Sequence, residues 1–188
     1  MRMKPTDDGA SQAHASNNFD AVRIVAAFAV LVSHHFALTA QSEPSFLGLH
    51  SWGGLAVIVF FVISGYLVTG SWYNDPSFLR FSQRRILRLW PALTVVVLVT
   101  AYGLGAWVTA LPLMEYWAHR ATLDYLMTLA MRVHYVLPGV FDDNPYARGV
   151  NGSLWTIPLE VRCYVVLAVA GMLGLMRSRR VWMFLIAA

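Results

Sequence analysis

Four long apolar runs, separated by short polar stretches, divide the chain. The runs cover residues 21–40, 52–70, 92–111 and 157–175, and a fifth begins near residue 181. A helix needs about 20 consecutive apolar residues to cross a bilayer, so each of the four is long enough. The pattern predicts an all-α fold, a polytopic transmembrane helix bundle with about four complete spans and the start of a fifth.

The composition supports a membrane protein. Hydrophobic residues make up 57% of the chain and charged residues only 13%, whereas about a quarter of a soluble domain is charged. The net charge of +4 is modest and comes mostly from two arginine clusters, which does not favour a nucleic-acid partner. A single cysteine excludes an internal disulfide framework and a cysteine-based zinc site. Residues 1–18 are polar and lack aromatic residues before Phe19, which predicts a disordered cytoplasmic tail.

The distribution of arginines predicts the orientation in the membrane. Arginines concentrate in the intervals 71–91 and 176–180, whereas the interval 41–51 has neither lysine nor arginine. Cytoplasmic loops carry an excess of these residues. The first two intervals are therefore predicted to lie in the cytoplasm and the third outside.

One further apolar segment, 123–137, complicates this scheme. If it crossed the membrane, the arginines of 176–180 would lie outside. The segment is short and contains Asp124, Arg132 and His134. It is therefore predicted to form an interfacial or partly inserted helix, within an outer region that covers residues 112–156.

The first apolar run carries ionisable residues at both ends. Arg23 and His34 are eleven positions apart, and at about 100° and 1.5 Å per residue they share one helix face about 16 Å apart. His35 points about 100° away. Ionisable groups within spans are costly, so a function is the default hypothesis, and a neutral imidazole can act as a general base. The alternatives are that Arg23 only extends to the membrane surface and that His34 bonds a nearby carbonyl.

The second run contains F-F-V-I-S-G-Y-L, residues 60–67. Its Ser64 and Gly65 are small enough to let helices approach closely, and packing explains them well. Ser64 lacks the G-x-S-x-G sequence that would favour a nucleophile.

An arginine-rich interval follows the second run. Arg80, Arg84 and Arg88 are spaced four apart, so they form one stripe on a helix. Pro91 is predicted to begin the next span, where its missing N–H costs little. A topology signal explains the arginines, but guanidinium groups in a row also suit a polyphosphate, which makes a cytosolic phosphorylated donor plausible.

The fourth run opens with N-G-S-L-W-T-I-P-L-E-V-R-C-Y, residues 151–164. Thr156 is predicted to cap the helix and Pro158 to lie in its first turn. Glu160 and Tyr164 share a face, whereas Arg162 faces away. Glu160 lies in the outer half, as His34 does, so the two are predicted to share a polar site. The alternative is that Glu160 only stabilises the start of its helix.

Taken in order, these segments resemble the membrane-bound acyltransferase 3 family, which O-acylates bacterial surface polysaccharides, Nod factors and some antibiotics. The matching motifs are F-D-A-V-R with R-x10-H, F-F-V-I-S-G-Y-L, R-x3-R-R-x2-R-x2-P and S-L-W-T-I-P-L-E-V-R-C-Y, which together span residues 19–166. Many members have Phe-Tyr where this chain has Cys163-Tyr164. The family domain has about ten helices, so the resemblance implies that residues 19–188 are the N-terminal part of a larger domain, truncated here to roughly half.

The resemblance implies a function at the inner (plasma) membrane: transfer of an acyl group, often acetyl, from cytosolic acyl-CoA to a carbohydrate hydroxyl on the outer side. It implies no bound cofactor and no metal, with acyl-CoA as the donor substrate. His34 would activate the hydroxyl or carry the acyl group, and Glu160 would orient or assist it. The implied substrate-binding residues are Arg23, Ser64, Arg84, Arg85, Arg88, Trp155 and Tyr164.

Two alternatives remain open from the sequence. One is a transporter or channel subunit with an intramembrane relay of His, Arg and Glu. The other is an inactive truncated product. Hydrolysis of acyl-CoA that depends on His34 would separate an enzyme from a transporter.

Overall fold

The structure is a computed structural model that describes residues 19–46, 48, 50–146 and 148–177. The predicted tail 1–18, the fifth apolar segment and the arginines at 179 and 180 lie outside the described residues. The α-helices are α1 Phe19–Leu38, α2 Trp52–Asn74, α3 Phe78–Leu98, α4 Gly105–Val108, α5 Leu113–Ala118, α6 Arg120–Tyr125 and α7 Thr156–Met172. Tighter 3-10 turns cover Leu126–Ala130, Gly152–Trp155 and Leu175–Arg177, and a wider π-helical turn, Val99–Leu104, joins α3 to α4.

The predicted all-α membrane fold is confirmed. Among the described residues, four helical stretches are long and apolar enough to cross a membrane, namely Phe19–Leu38, Trp52–Asn74, Phe78–Val108 and Gly152–Met172. Within the described part of the chain, the strands are two residue pairs, β1 Ser45–Phe46 and β2 His50–Ser51, which pair antiparallel between α1 and α2. Helix α1 packs mainly against α2, and α7 packs against both α2 and α3.

The connection between α2 and α3 is much shorter than predicted. Helix α2 continues to Asn74 and α3 begins at Phe78, so the interval 71–91 is mostly helical and its arginines lie on α3. The prediction that Pro91 begins the span is wrong, because Pro91 lies inside α3. A proline removes one N–H from the helical ladder, and neighbouring groups in membrane helices compensate for such a loss.

The segment 123–137 is helical only in its first half. Helix α6 ends at Tyr125, and the turn that follows ends at Met131, which has a left-handed φ of 64°. Beyond it the chain is irregular as far as Leu137. The prediction of one interfacial helix is therefore wrong in shape. The physical reason is that Tyr125 and Leu137 are both fully buried in one core, so the chain folds back at Met131.

In the part of the chain that the structure describes, two hydrophobic cores hold the bundle together. One lies between the second half of α3 and the region 111–157, around Val97, Tyr116, Tyr125 and Leu137. The other joins α2, α3 and α7 around Trp72, Phe81, Tyr164 and Ala168. In the first core, the Tyr116 hydroxyl donates a hydrogen bond to the Ala101 carbonyl in the π-helical turn, at 2.6 Å.

Candidate active site

One cavity of about 580 Å³ brings together most of the side chains that the sequence singled out. It lies between α1 and α2, and residues from α3 and the start of α7 complete its wall. Among the predicted site residues, those that line it are Arg23, His34, Ser64, Arg88, Trp155 and Glu160.

Helix α1 contributes Arg23 and His34. His34 is half-buried and lines the cavity, whereas His35 is exposed. The predicted phase of the helix is therefore confirmed. Arg23 makes a long 4.0 Å ion pair with Asp20, whose side chain is 86% exposed. Such a surface pair contributes little, so the Arg23 guanidinium is free to bind a ligand.

Helix α2 forms the facing wall. Gly53 and Gly54 lie at one end of this wall and Ser64 at the other, with Val57, Phe60 and Phe61 between them. Gly53 and Ser64 are eleven residues apart, as Arg23 and His34 are, so each wall is about 16 Å long. The middle of the wall on α2 is apolar, and its polar groups are confined to the two ends.

The start of α7 differs from the prediction. Trp155 already has helical backbone angles, φ −59° and ψ −25°, because the 3-10 turn Gly152–Trp155 leads directly into α7. Thr156 is therefore the first residue of α7 and not its cap, and its Oγ1 donates to the Ser153 carbonyl at 3.1 Å. Pro158 lies in the first turn, as predicted.

Glu160 faces the cavity one turn into α7. Its carboxylate accepts a hydrogen bond from the Tyr164 hydroxyl. The Arg85 guanidinium lies 5.7 Å from the centre of the Tyr164 ring and 5.6 Å from that of Phe81, a cation–π arrangement. Arg85 therefore packs against Tyr164, the hydrogen-bond partner of Glu160, and is not among the residues that line the cavity.

The arginine stripe of α3 is divided. The Asp75 carboxylate accepts hydrogen bonds from Arg80 Nε and Arg84 Nη1, both at 2.8 Å. The hydrogen bond from Arg80 and, to a smaller extent, the one from Arg84 hold the pKa of Asp75 far below its usual range. In the described part of the chain Arg88 has no carboxylate in ion-pair contact, and it alone of the stripe lines the cavity.

Several residues that line the cavity are not among the predicted site residues, namely Ser33, Ser51, Gly53 and Thr156. Glu43 lies behind them and accepts a hydrogen bond from Ser33. The sequence feature that points to them is the glycine pair at the start of α2, because glycines let helices approach closely. Across the described ranges, no three His, Cys, Asp or Glu side chains are close enough together to hold a metal ion. Cys163, at the position where the motif departs from the family, is exposed.

Comparison with known proteins gives a family. The family described as "Acyltransferase domain" matches residues 16–188. A protein named O-acetyl transferase, from Shigella phage Sf6, is 41% identical over 157 residues, which is 84% of this chain and 46% of that protein. Nodulation protein 10 of Rhizobium leguminosarum bv. viciae is 34% identical over 178 residues, 85% of this chain and 46% of that protein. The chain thus spans about half the length of these relatives. No solved structure matches it significantly.

Proposed function

The chain belongs to the acyltransferase 3 domain family, and on that premise we propose that it is part of an integral membrane O-acyltransferase. The reaction is transfer of an acyl group from cytosolic acyl-CoA to a carbohydrate hydroxyl on the outer side of the inner (plasma) membrane. The observation that carries the proposal is the cavity, because His34, Glu160 and two arginines from three helices line one space.

In the proposed reaction His34 is the general base. Its unprotonated imidazole nitrogen takes the proton of the acceptor hydroxyl, and the hydroxyl oxygen attacks the thioester carbonyl carbon. A C–O bond forms, the C–S bond breaks, and the imidazolium returns its proton to the departing CoA thiolate. In the alternative covalent route, the same nitrogen attacks the carbonyl and carries the acyl group to the acceptor.

The arginines at the other end of the cavity suit the donor. His34 and Arg23 lie about 16 Å apart along α1, and Arg88 lines the same cavity from α3. Guanidinium groups bind phosphate oxygens in a bidentate manner. The donor phosphates are therefore placed toward Arg23 and Arg88, and the thioester toward His34. This orientation agrees with the cytoplasmic location predicted for the arginine-rich interval.

The reaction can be tested with the complete gene product in detergent, supplied with acetyl-CoA and a panel of oligosaccharides. We expect free CoA thiol and an acetyl ester on one of the sugars in equal amounts, and loss of both signals in His34→Ala. Transport of a solute across vesicles without thiol release would contradict the proposal and favour the transporter alternative.

Arg88 and Arg80 should differ in their effect on the donor. Arg88→Gln should weaken acetyl-CoA binding by about tenfold or more, because a hydrogen bond between charged groups contributes about 1.5–3 kcal/mol. Arg80→Gln is the matched control: it lies on the same stripe but its guanidinium is already bound by Asp75, so we expect a change within about twofold. The measurement is donor affinity by isothermal titration at two salt concentrations. Unchanged donor affinity in Arg88→Gln would reduce the stripe to a topology signal.

A further inference from the structure

Glu43 lies in the connection between α1 and α2 and joins the two helices. Its Oε2 accepts a hydrogen bond from Ser33 Oγ of α1 at 2.8 Å, and its Oε1 accepts one from the backbone N–H of Gly53 in α2 at 2.9 Å. Each carboxylate oxygen thus binds a different helix. Ser33 immediately precedes His34 in the chain, and Gly53 lines the cavity as His34 does.

The two helices also approach each other closely at this level. A Cβ atom built on Gly53 would overlap the Cβ and Oγ atoms of Ser33. A side chain at position 53 would therefore push α1 away from α2 beside His34. Close approach and the bridging carboxylate are independent observations, and both fix the same turn of α1.

Glu43 is ionised in this environment. Burial alone would raise the pKa of Glu43, but hydrogen bonds from Gly53 and Ser33 and a weaker interaction with Ser51 lower it below the usual value. A positive charge on His34 also lowers it, more weakly. Hydrogen bonds to an ionised acceptor are roughly twice as strong as neutral ones.

We propose that Glu43 is a positioning residue for His34: it clamps the end of α1 to the start of α2 and so holds the imidazole against the cavity wall. This inference rests on the proposed function, in which His34 is the base. A misplacement of about 1 Å can cost about a hundredfold in rate. A carboxylate bound to both helices removes that freedom without touching the substrate.

The first test is kinetic and uses Glu43→Ala, Glu43→Gln and Ser33→Ala in the complete gene product. Glu43→Ala should lower kcat about ten- to a hundredfold and leave the KM for acetyl-CoA within about twofold, because the donor phosphates bind elsewhere. Glu43→Gln should recover much of the rate, since its amide can accept from Gly53 and donate to Ser33. The double variant with Ser33→Ala should be no slower than Glu43→Ala alone, because both remove the same bridge.

The second test does not require activity. Modification of His34 by diethyl pyrocarbonate, followed by mass spectrometry of the peptide that carries it, should be faster in Glu43→Ala. Glu115→Ala is the matched control, because Glu115 is an exposed carboxylate on α5 away from the cavity, and its rate should equal that of the native protein. If Glu43→Ala fails to accumulate in membranes, Ser33→Ala carries both tests.

The outcomes separate the two proposals. A native kcat and a native modification rate in Glu43→Ala would overturn the positioning role and leave the enzyme assignment intact. A native protein without transfer activity would overturn the proposed function, while faster modification of His34 in Glu43→Ala would still establish the clamp. If the double variant with Ser33→Ala loses kcat by the product of the two single losses, the two residues act separately, and the positioning role of Glu43 is overturned.

Discussion

His34→Ala should lower the rate of acyl transfer by about a hundred- to ten-thousandfold, the usual contribution of a positioned general base. His35→Ala should keep most of the rate. The two side chains are adjacent in sequence, but His34 lines the cavity and His35 is exposed on another face of α1. Each variant replaces one histidine of the same helix by alanine, so the comparison isolates the effect of facing the cavity. The measurement is acetylated product per unit of membrane-inserted protein.

The amount of inserted protein must be quantified for each variant, because loss of folding would mimic loss of chemistry. An active His34→Ala beside an inactive His35→Ala, at equal abundance, would show that the reacting groups meet on the other face of α1. The cavity would then not be the active site.

Glu160→Gln should lower the rate by about a hundredfold. The substitution keeps the size of the side chain and an oxygen that can accept the Tyr164 hydrogen bond, but it removes the negative charge from the cavity. The loss of charge removes the partner that would assist proton transfer by His34. Steady-state rates with saturating acetyl-CoA measure the effect.

Two further variants define the origin of that effect. Tyr164→Phe removes only the hydrogen bond to Glu160 and should cost about tenfold or more, since a hydrogen bond to a charged acceptor contributes about 1.5–3 kcal/mol. Arg162→Gln is the control on the same helix, because Arg162 is exposed and does not line the cavity. A Glu160→Gln variant with the native rate would leave Glu160 as a residue that stabilises α7 alone.

Helical periodicity was sufficient to predict one wall of the site. Arg23 and His34 face the same cavity because the angle between residues eleven apart is fixed by the helix, whatever surrounds it. The same argument grouped Glu160 with Tyr164, and their hydrogen bond confirms it. What periodicity cannot give is which faces meet. The meeting of α1 and α7 depends on how both pack against α2.

The rest of the site depends on contacts between elements. Glu43 has no motif of its own, and its role arises because the connection 39–51 returns it to Ser33 and Gly53. Asp75 binds Arg80 and Arg84 because the turn between α2 and α3 is short. The sequence predicts a longer connection because proline favours the first turn of a helix, whereas Pro91 lies inside α3. The arginines that precede Pro91 interrupt the apolar pattern, so the pattern does not indicate that one helix continues through the proline.

The continuous helical stretch Phe78–Val108 has 31 residues, and at 1.5 Å per residue it is about 46 Å long. The hydrocarbon layer is about 30 Å thick, and a tilt of about 50° would be needed to contain the stretch, beyond the observed range of about 0–40°. Part of it must therefore protrude into the lipid headgroups. The first turns of α3 carry Arg80, Arg84 and Arg88, and charged side chains have a high free-energy cost in hydrocarbon. These turns are therefore the part whose protrusion has the lowest free energy. An anionic donor could then reach Arg88 from the headgroup layer without crossing lipid tails.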